Sequence, residues 1–330
     1  AEASPDIVAA PVDAQPARTR LKAYDALPPL QQPVPYAASF ERRWTVGSFS
    51  AIVRHIASAP MPALAGAVRE DEVLLLDQPA APGPVVAAQP WHTFPRGAMP
   101  GNFLHDQLEW LAAERFALGD STVLEERLRR RCDRQGWGHR ADDVVTWLRD
   151  VVSQPLPPVG ASLGELERLL PEMEFWFPSD ALPTAEVDRL CQTHLLDGAA
   201  RPMLPARELQ GMLMGFADLV FFHGGRYWVL DYKSNALGTR DADYTHPALA
   251  ASMAEHRYDV QAALYLLALH RLLKARLAER YDPARQLGGA VYLFLRGVHG
   301  PTGGCYHVAP DVAFLDALDR AFGAGGEGAP

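Results

Sequence analysis

The segment 215–235 constrains the fold more than any other part of the sequence. It reads GFADLVFFHGGRYWVLDYKSN, two apolar runs rich in β-forming residues and separated by Gly224 and Gly225. Two glycines between such runs are typical of a β-hairpin with a two-residue turn. We therefore predict a hairpin in which His223 faces Arg226 and the pairing continues outward residue by residue.

In that register Asp218 falls opposite Asp231, and Lys233 shares their face because side chains on a strand alternate. Opposed residues lie roughly 4.5–5.5 Å apart at Cβ, where two carboxylates repel each other unless a proton or a cation lies between them. Mg²⁺ prefers oxygen ligands, so the hairpin predicts a Mg²⁺ site beside which Lys233 holds a water or a phosphate. A three-residue turn would shift this register, and a surface hairpin with solvated acids is the alternative interpretation.

Composition indicates a globular chain with a substantial core, in one large domain or two small ones. The chain has 330 residues, of which 48% are hydrophobic, and a formal net charge of −9. That charge argues against binding nucleic acid by bulk electrostatics, but not against a local basic groove or a metal-mediated phosphate contact. With neither a signal-peptide pattern nor a membrane-length apolar run, we expect a soluble cytoplasmic protein.

The cysteines exclude two kinds of metal site. There are three, Cys132, Cys191 and Cys305, far apart and without CxxC spacing. An odd number without a framework indicates a reducing compartment and no structural zinc. A four-thiolate iron–sulfur cluster cannot be built from them.

The ends of the chain differ in composition from its centre. Residues 1–38 are rich in alanine and proline, and proline fixes φ and removes hydrogen-bond donors, so we predict a linker there. The alternative is a tail that wraps its own domain. We predict the folded domain over 39–323 and a disordered, glycine-rich tail over 324–330. Because the chain begins without Met, we expect it to be a fragment of a longer one.

Hydrophobic periodicity predicts a mixed sheet surrounded by helices, an α/β or α+β domain. Besides the hairpin, we predict strands over 172–178 and 289–296. Helices are predicted over 101–116, 121–134, 142–152, 163–170, 185–195, 249–277 and 311–322. A long loop is predicted over 58–100, with one short element near 73–76. No GxxxxGK[ST] motif occurs, so the chain contains no P-loop motor.

Two residues outside the hairpin are candidates for the metal site. His105 lies at the edge of an apolar helical stripe, in a helix that Asn102 is placed to cap, and neutral imidazole is a good ligand for a divalent cation. The alternative is that His105 is a partly buried, hydrogen-bonded helix residue with no metal-binding role. Glu174 lies on a predicted strand ahead of the hairpin, on the face that also carries Glu172 and Trp176, and it either joins the site or faces solvent.

Two further groups of polar residues have functional and structural interpretations. Gln261 and Tyr265 are four residues apart on one helix and therefore neighbours on one face, which is either packed in the core or part of the site. Arg129 and Arg130 belong to a basic helix, which is either a solvated face or a contact for a DNA backbone. If this helix contacts a DNA backbone, we expect charge reversal at both arginines to weaken DNA binding and to flatten its salt dependence.

Taken in order, these motifs resemble the C-terminal nuclease domain of RecB-type helicase–nucleases, a branch of the PD-(D/E)xK nuclease superfamily. The resemblance runs from about residue 44 to about residue 322. The motifs that carry it are GNFLH at 101–105, EMEF at 172–175, GFADL at 215–219, DYKSN at 231–235, Q-x-x-x-Y at 261–265 and FLRG at 294–297. Every ionisable position of the family's active site is filled, although the proline of the superfamily name is absent before Asp218.

The resemblance implies Mg²⁺-dependent hydrolysis of phosphodiester bonds in DNA single strands, as an exonuclease and endonuclease. It assigns the metal to His105, Asp218, Asp231 and the backbone carbonyl of Tyr232. Mn²⁺ is expected to substitute for Mg²⁺, and Ca²⁺ is expected to bind. Glu174 then completes the acidic cluster, directly or through water.

The resemblance also gives roles to the remaining site residues. Lys233 positions the attacking water or helps to deprotonate it, and offsets negative charge on the phosphate in the transition state. Gln261 and Tyr265 brace the surroundings of Lys233 or contact the DNA strand.

The partners implied are those of a RecBCD-type assembly in double-strand break repair and recombination. In the family this domain is tethered to a helicase in the same polypeptide, which feeds it single strands, and it acts with RecC- and RecD-like subunits. A RecA-like recombinase is a further expected partner. The alternatives are the AddA-type nuclease domain without an iron–sulfur cluster, a stand-alone nuclease, and a nuclease-fold scaffold without catalysis.

Overall fold

A mixed β-sheet forms the centre of the computed structural model, which describes residues 45–53 and 89–323. The six strands of this sheet are β1 (Thr45–Gly47), β4 (Arg168–Pro183), β5 (Glu208–His223), β6 (Arg226–Lys233), β7 (Leu287–Phe294) and β8 (Cys305–Val308). Two short strands pair separately as β2 (Pro155–Leu156) and β3 (Ala161–Ser162). The predicted linker, the predicted tail and the element expected near 73–76 lie outside the described residues.

The described helices lie before, between and after these strands. They are α1 (Phe49–Val53), α2 (Pro90–Thr93), α3 (Ala98–Ala113), α4 (Thr122–Arg134), α5 (Ala141–Ser153), α6 (Thr184–His194), α7 (His246–Glu255), α8 (Tyr258–Leu277), α9 (Pro283–Gln286) and α10 (Val312–Gly323). Together with the mixed sheet they confirm the predicted α/β (α+β) class. None of the helices in the described part of the chain has the length and apolarity needed to span a membrane.

β5 organises the sheet because it has different partners along its two edges. One edge pairs antiparallel with β4 along almost its whole length. The other edge pairs parallel with β1 at Gly211–Leu213 and then antiparallel with β6 at Leu219–His223. Beyond β6, the sheet continues with a parallel pairing to β7 and an antiparallel pairing to β8. The stretch 214–218 of β5 lies between its β1 and β6 partners.

Two hydrophobic clusters cover the sheet from opposite sides. On one side the buried face of α8 packs with α6, α7 and α10 against side chains such as Val229 and Tyr292. On the other, α3, α4 and α5 pack against side chains such as Leu230 and Leu293. Alternate residues of β6 and β7 therefore enter different clusters, and these strands are apolar on both faces.

The predicted hairpin is confirmed. His223 pairs with Arg226 across a two-residue turn in which Gly224 and Gly225 have φ values of 58° and 80°. Two positive φ values in succession define the turn whose twist matches paired antiparallel strands, and glycine adopts them without steric cost. The register predicted from the sequence therefore holds along the paired part of the hairpin.

Two predicted helices are wrong in extent. The helix expected over 163–170 is one 3-10 turn, Leu163–Glu165, after which β4 begins at Arg168. Pro171 disfavours helical backbone in the residue before it, which explains the extended conformation. The helix expected over 249–277 is two helices, α7 and α8, separated by Arg257 at a φ of 55°.

Other differences concern caps and short elements. Asn102 does not cap α3, which begins at Ala98 after Gly97 and has Pro100 in its first turn. The short helix α2 lies inside the predicted 58–100 loop, and the short strand β8 was not predicted. The cysteines Cys132, Cys191 and Cys305 are buried and free.

Candidate active site

The two aspartates of the hairpin lie where its strands separate. Pairing between β5 and β6 ends at Leu219 and Leu230, so Asp218 and Asp231 stand one position beyond the last pair. Their residues are only 9% and 3% exposed. Asp218 Oδ2 accepts a hydrogen bond of 2.8 Å from the backbone N–H of Tyr232, which holds this carboxylate across the gap against β6. The register predicted from the sequence thus brings the two carboxylates to one buried place.

His105 reaches the same place from α3. Leu104 and Leu108 are fully buried and anchor this helix in its cluster, and His105 is 4% exposed beside them. Its Nδ1 atom lies 3.3 Å from Asp218 Oδ2, and its ring meets the ring of Tyr232 edge-on at 5.8 Å. The imidazole therefore joins the aspartates from an element more than a hundred residues away in the chain.

Lys233 lies in a buried, partly aromatic enclosure. Its Nζ atom is 2.9 Å from Asp231 Oδ1 and 3.1 Å from Gln261 Oε1. The same atom lies 3.9 Å from the ring centroid of Tyr258 and 5.4 Å from that of Tyr292. Carboxylate, amide oxygen and π faces all stabilise a cation, so these contacts offset part of the cost of burying the ammonium.

Gln261 and Tyr265 support this lysine from α8. Gln261 accepts from Lys233 through its oxygen and donates through its nitrogen to the hydroxyl of Tyr265 at 2.9 Å. The two residues are 1% and 3% exposed. Of the two roles expected from the sequence, this geometry favours bracing Lys233 over direct contact with a DNA strand.

Two tyrosines and one arginine of the site were not singled out for it by sequence. Tyr258 precedes Gln261 by about one helical turn, and this spacing could have indicated that both lie on one face of α8. Tyr292 has no such signal, because only the pairing of β7 with β6 places it beside Asp231. Arg296 is buried after β7 and donates to the carbonyls of Ser234 at 2.8 Å, of Phe94 at 3.0 Å and of Pro95 at 2.7 Å, and to that of Trp91.

These contacts of Arg296 tie two parts of the site together. Ser234 directly follows Lys233 at the end of the hairpin, and Pro95 belongs to the loop that leads into α3, the helix of His105. A planar guanidinium with several donors suits this task, because it satisfies carbonyls from two elements at once. Arg296 therefore fixes the end of β6 relative to the start of α3.

The electrostatics of the site favour a bound cation. Burial raises the pKa of the Asp231 carboxyl to about 7; Lys233 acts to lower it and the nearby Asp218 acts to raise it. A buried carboxyl with another beside it is destabilised when charged, and an added positive charge relieves this. The donor set also fits a hard divalent ion, because two carboxylates, an imidazole and the Tyr232 carbonyl supply oxygen and nitrogen ligands.

The candidate ligands lie near one another but are engaged with protein partners. Across residues 45–53 and 89–323, no three His, Cys, Asp or Glu side chains are grouped so as to hold one ion. Asp218 is engaged by His105 and the backbone of Tyr232, and Asp231 by Lys233. An ion bound here would therefore compete with these contacts for the two carboxylates.

Glu174 lies outside this group of side chains. It is on the exposed face of β4, where its Oε1 atom accepts a hydrogen bond of 2.9 Å from the indole of Trp176. Glu172 occupies the position between the pairs Pro171–Leu219 and Met173–Ala217, which is the register position of Asp218. Its φ of 49° is unusual for a residue other than glycine, and such strain is concentrated at functional sites. The role of Glu174 stays a prediction, and the geometry favours Glu172.

Comparison with known proteins identifies relatives of the chain. The sequence profile of the PD-(D/E)XK nuclease superfamily matches residues 91–324, which include every candidate residue named above. The RecBCD enzyme subunit RecB of Escherichia coli is 40% identical over 264 residues, which cover 77% of this chain and 22% of that protein.

Two other relatives with the same name come from other bacteria. RecB of Haemophilus influenzae is 34% identical over 233 residues, covering 69% of this chain and 19% of that protein. RecB of Mycobacterium tuberculosis is 31% identical over 312 residues, covering 82% of this chain and 28% of that protein. The chain thus spans only 19–28% of the length of these relatives.

Proposed function

This chain belongs to the PD-(D/E)XK nuclease superfamily, and from that membership we propose that it is a metal-dependent deoxyribonuclease with its active site at the open end of the hairpin. Nucleases of this superfamily generally use divalent metal ions. The observation that carries the proposal is the convergence of Asp218, Asp231, Lys233 and His105, from three elements, in one buried place. A solvated surface hairpin would not bury them.

The proposed ion is Mg²⁺, with Mn²⁺ as a substitute and Ca²⁺ as a further ion that binds. Its proposed ligands are His105, Asp218, Asp231 and the backbone carbonyl of Tyr232. A bound divalent ion supplies Lewis acidity at the phosphate and lowers the pKa of bound water. The side chains contribute position: Tyr232 N–H orients Asp218, and His105 packs edge-on to the ring of Tyr232.

Lys233 supplies fixed positive charge beside the scissile phosphate. Its ammonium is held by Gln261 and Tyr258, so little reorganisation is needed as negative charge develops on the phosphate oxygens. The same ammonium holds the attacking water or, through its positive charge, helps to deprotonate it without taking the proton itself. Burial strengthens both effects, because fixed charges act more strongly where water is excluded.

The wider role we propose is that of the nuclease module of a RecBCD-type helicase–nuclease in double-strand break repair and recombination. The relatives are named as RecB subunits of that enzyme, and the chain covers only a part of each. A helicase in the same polypeptide would then deliver single strands, with RecC- and RecD-like subunits and a RecA-like recombinase as partners. An AddA-type domain and a scaffold without catalysis are the competing proposals.

Degradation of linear single-stranded DNA by the full chain tests the nuclease proposal. We expect cleavage with Mg²⁺, loss of cleavage with EDTA, and loss in Asp231→Ala at the same protein concentration. Asp316→Ala is a matched control, because that carboxylate is 56% exposed and lies on α10. Cleavage that persists in Asp231→Ala would place the site elsewhere, and no cleavage by the wild type would favour the scaffold.

A further inference from the structure

An exposed apolar face begins beside the candidate active site. Along β4 and β5, residues such as Phe175, Phe177 and Leu213 point into the core that contains α8. The opposite face carries Trp176 and Phe216, which are 46% and 43% exposed, although aromatic side chains of this size are usually well buried.

Helices α3, α4 and α5 cover this face of β5 only as far as Asp218. Leu219 and Phe221 are buried in the cluster that contains α3, α4 and α5. Two residues before Asp218 on the same strand, Phe216 lies beyond that cluster, and Met214 and Met212 continue the open row in partly buried positions. In the part of the chain that the structure describes, the open face is therefore continuous with the site along β5.

The two rings hold related positions on paired strands. Trp176 pairs with Met214 and Glu174 pairs with Phe216, so Trp176 and Phe216 are diagonal neighbours, a relation that corresponds to roughly 7–8 Å between backbones. The indole of Trp176 is oriented by its hydrogen bond to Glu174. Both rings thus stand on a rigid sheet rather than on a loop.

The lack of positive charge on this face determines which part of a nucleic acid it can contact. Its apolar side chains offer no cation to a phosphate, and the carboxylate of Glu174 repels one. A nucleic acid strand would therefore turn its bases, rather than its backbone, toward Trp176 and Phe216. Stacking on aromatic rings is tolerant of sequence, because every base presents a π face.

We propose that Trp176 and Phe216 form a base-stacking platform for the single strand whose phosphate occupies the site at Asp218. The inference rests on the proposed nuclease function and adds to it a surface for the substrate. It also accounts for how a chain with a net charge of −9 holds DNA, since stacking does not depend on bulk positive charge.

The test compares two strands of equal length, a short oligothymidylate and one in which abasic sites replace the bases, with the full chain in EDTA. Fluorescence anisotropy measures binding by the wild type, Trp176→Ala, Phe216→Ala and Trp176→Phe. Met203→Ala is the control, because Met203 is 77% exposed and lies outside β4 and β5, the strands that carry the two rings. Cleavage with Mg²⁺ is measured in parallel on the wild type.

Each alanine substitution should weaken binding of oligothymidylate roughly 5- to 100-fold and leave binding of the abasic strand unchanged. Trp176→Phe, which keeps a ring, should retain most of the affinity, and Met203→Ala all of it. Equal weakening for both strands, or no weakening for either, would overturn the platform.

The remaining outcomes separate this inference from the nuclease proposal. If the wild type cleaves DNA but the alanine variants bind oligothymidylate as well as it does, the nuclease proposal stands and the platform is rejected. If unchanged DNA binding is accompanied by a change in molecular mass on gel filtration, the face is a contact between copies of the chain. If the wild type neither binds nor cleaves single strands, both proposals fail.

Discussion

Lys233 illustrates how much of the site depends on residues that take no part in chemistry. Its ammonium contacts the Asp231 carboxylate, the Gln261 amide oxygen and the ring of Tyr258, all of them buried. Burying a lysine costs several kcal/mol unless such partners compensate for the lost water. The enclosure therefore both stabilises the cation and fixes it beside the aspartates.

Replacing Lys233 with Met should reduce single-turnover DNA cleavage by roughly 10²- to 10⁴-fold, because a fixed charge at the phosphate and a water-positioning group are both lost. Lys274→Met, at a lysine 64% exposed on α8, should leave the rate unchanged. Lys233→Arg should lose activity as well, although it keeps the positive charge, since a planar guanidinium does not fit an enclosure shaped around an ammonium. Activity close to the wild type in Lys233→Met would remove this residue from the mechanism.

Two glutamates of β4 differ in their expected contributions. Glu172→Gln should lower the cleavage rate about 10- to 100-fold, because Glu172 occupies the register position of Asp218. Glu174→Gln should change it by less than about twofold, as is usual for an exposed residue. Cleavage rates of the two variants at equal Mg²⁺ decide between them, and the reverse order would favour Glu174 as the member of the acidic cluster.

At the scale of elements, the hairpin turn sets the register on which the site depends. An added Cβ at Gly225 would meet no atom within 4 Å, so its φ of 80° is the only obstacle to a side chain. Gly225→Ala should therefore destabilise the fold by roughly 1–2 kcal/mol. Gly119→Ala, with open space and no positive φ, is the matched control. Urea unfolding measures both, and equal stabilities would show that the turn tolerates a side chain.

The hairpin was predictable because local chemistry fixes it. Gly224 and Gly225 specify a two-residue turn, and period-2 alternation carries that register to Asp218 and Asp231. The same argument placed Lys233 on their face. These three residues could be brought together from the sequence because a single hairpin contains them all.

Features that depend on distant partners were missed. The break before α8 is made by Arg257, whose positive φ has no glycine to mark it and whose guanidinium is held by Asp188 at 2.7 Å and Asp259 at 3.0 Å. The backbone at Glu172 is a similar case, because its left-handed φ interrupts simple alternation along β4 and no glycine marks it in the sequence. Tyr292 joins the site only through a parallel pairing, which the sequence of β7 alone does not show.

For the whole molecule, the basic helix is the part whose interpretation changes most. Arg129 has Asp142 at 3.0 Å and Glu125 at 3.7 Å, and Arg130 has Glu126 at 3.5 Å. Exposed pairs of this kind contribute little to stability, but they offset the charge offered to DNA. The arrangement favours a solvated face over a backbone contact.

Reversing both charges, Arg129→Glu with Arg130→Glu, should therefore leave the salt dependence of single-strand binding nearly unchanged. Two lost phosphate contacts would flatten the slope of log K against log salt by roughly 1.4. Binding measured over a series of salt concentrations distinguishes these outcomes. A slope flattened by that amount would restore the helix as a DNA contact, as the sequence alone allowed.

We expect the open end of the hairpin to hold a divalent ion. Calorimetric titration of the full chain with Mn²⁺ and with Mg²⁺, in the absence of DNA, measures this without depending on catalysis. We expect the wild type to bind the ion, Asp218→Asn and Asp231→Asn to lose binding, and the control Asp316→Asn to retain it. Equal binding by all four proteins, or none by the wild type, would contradict this expectation.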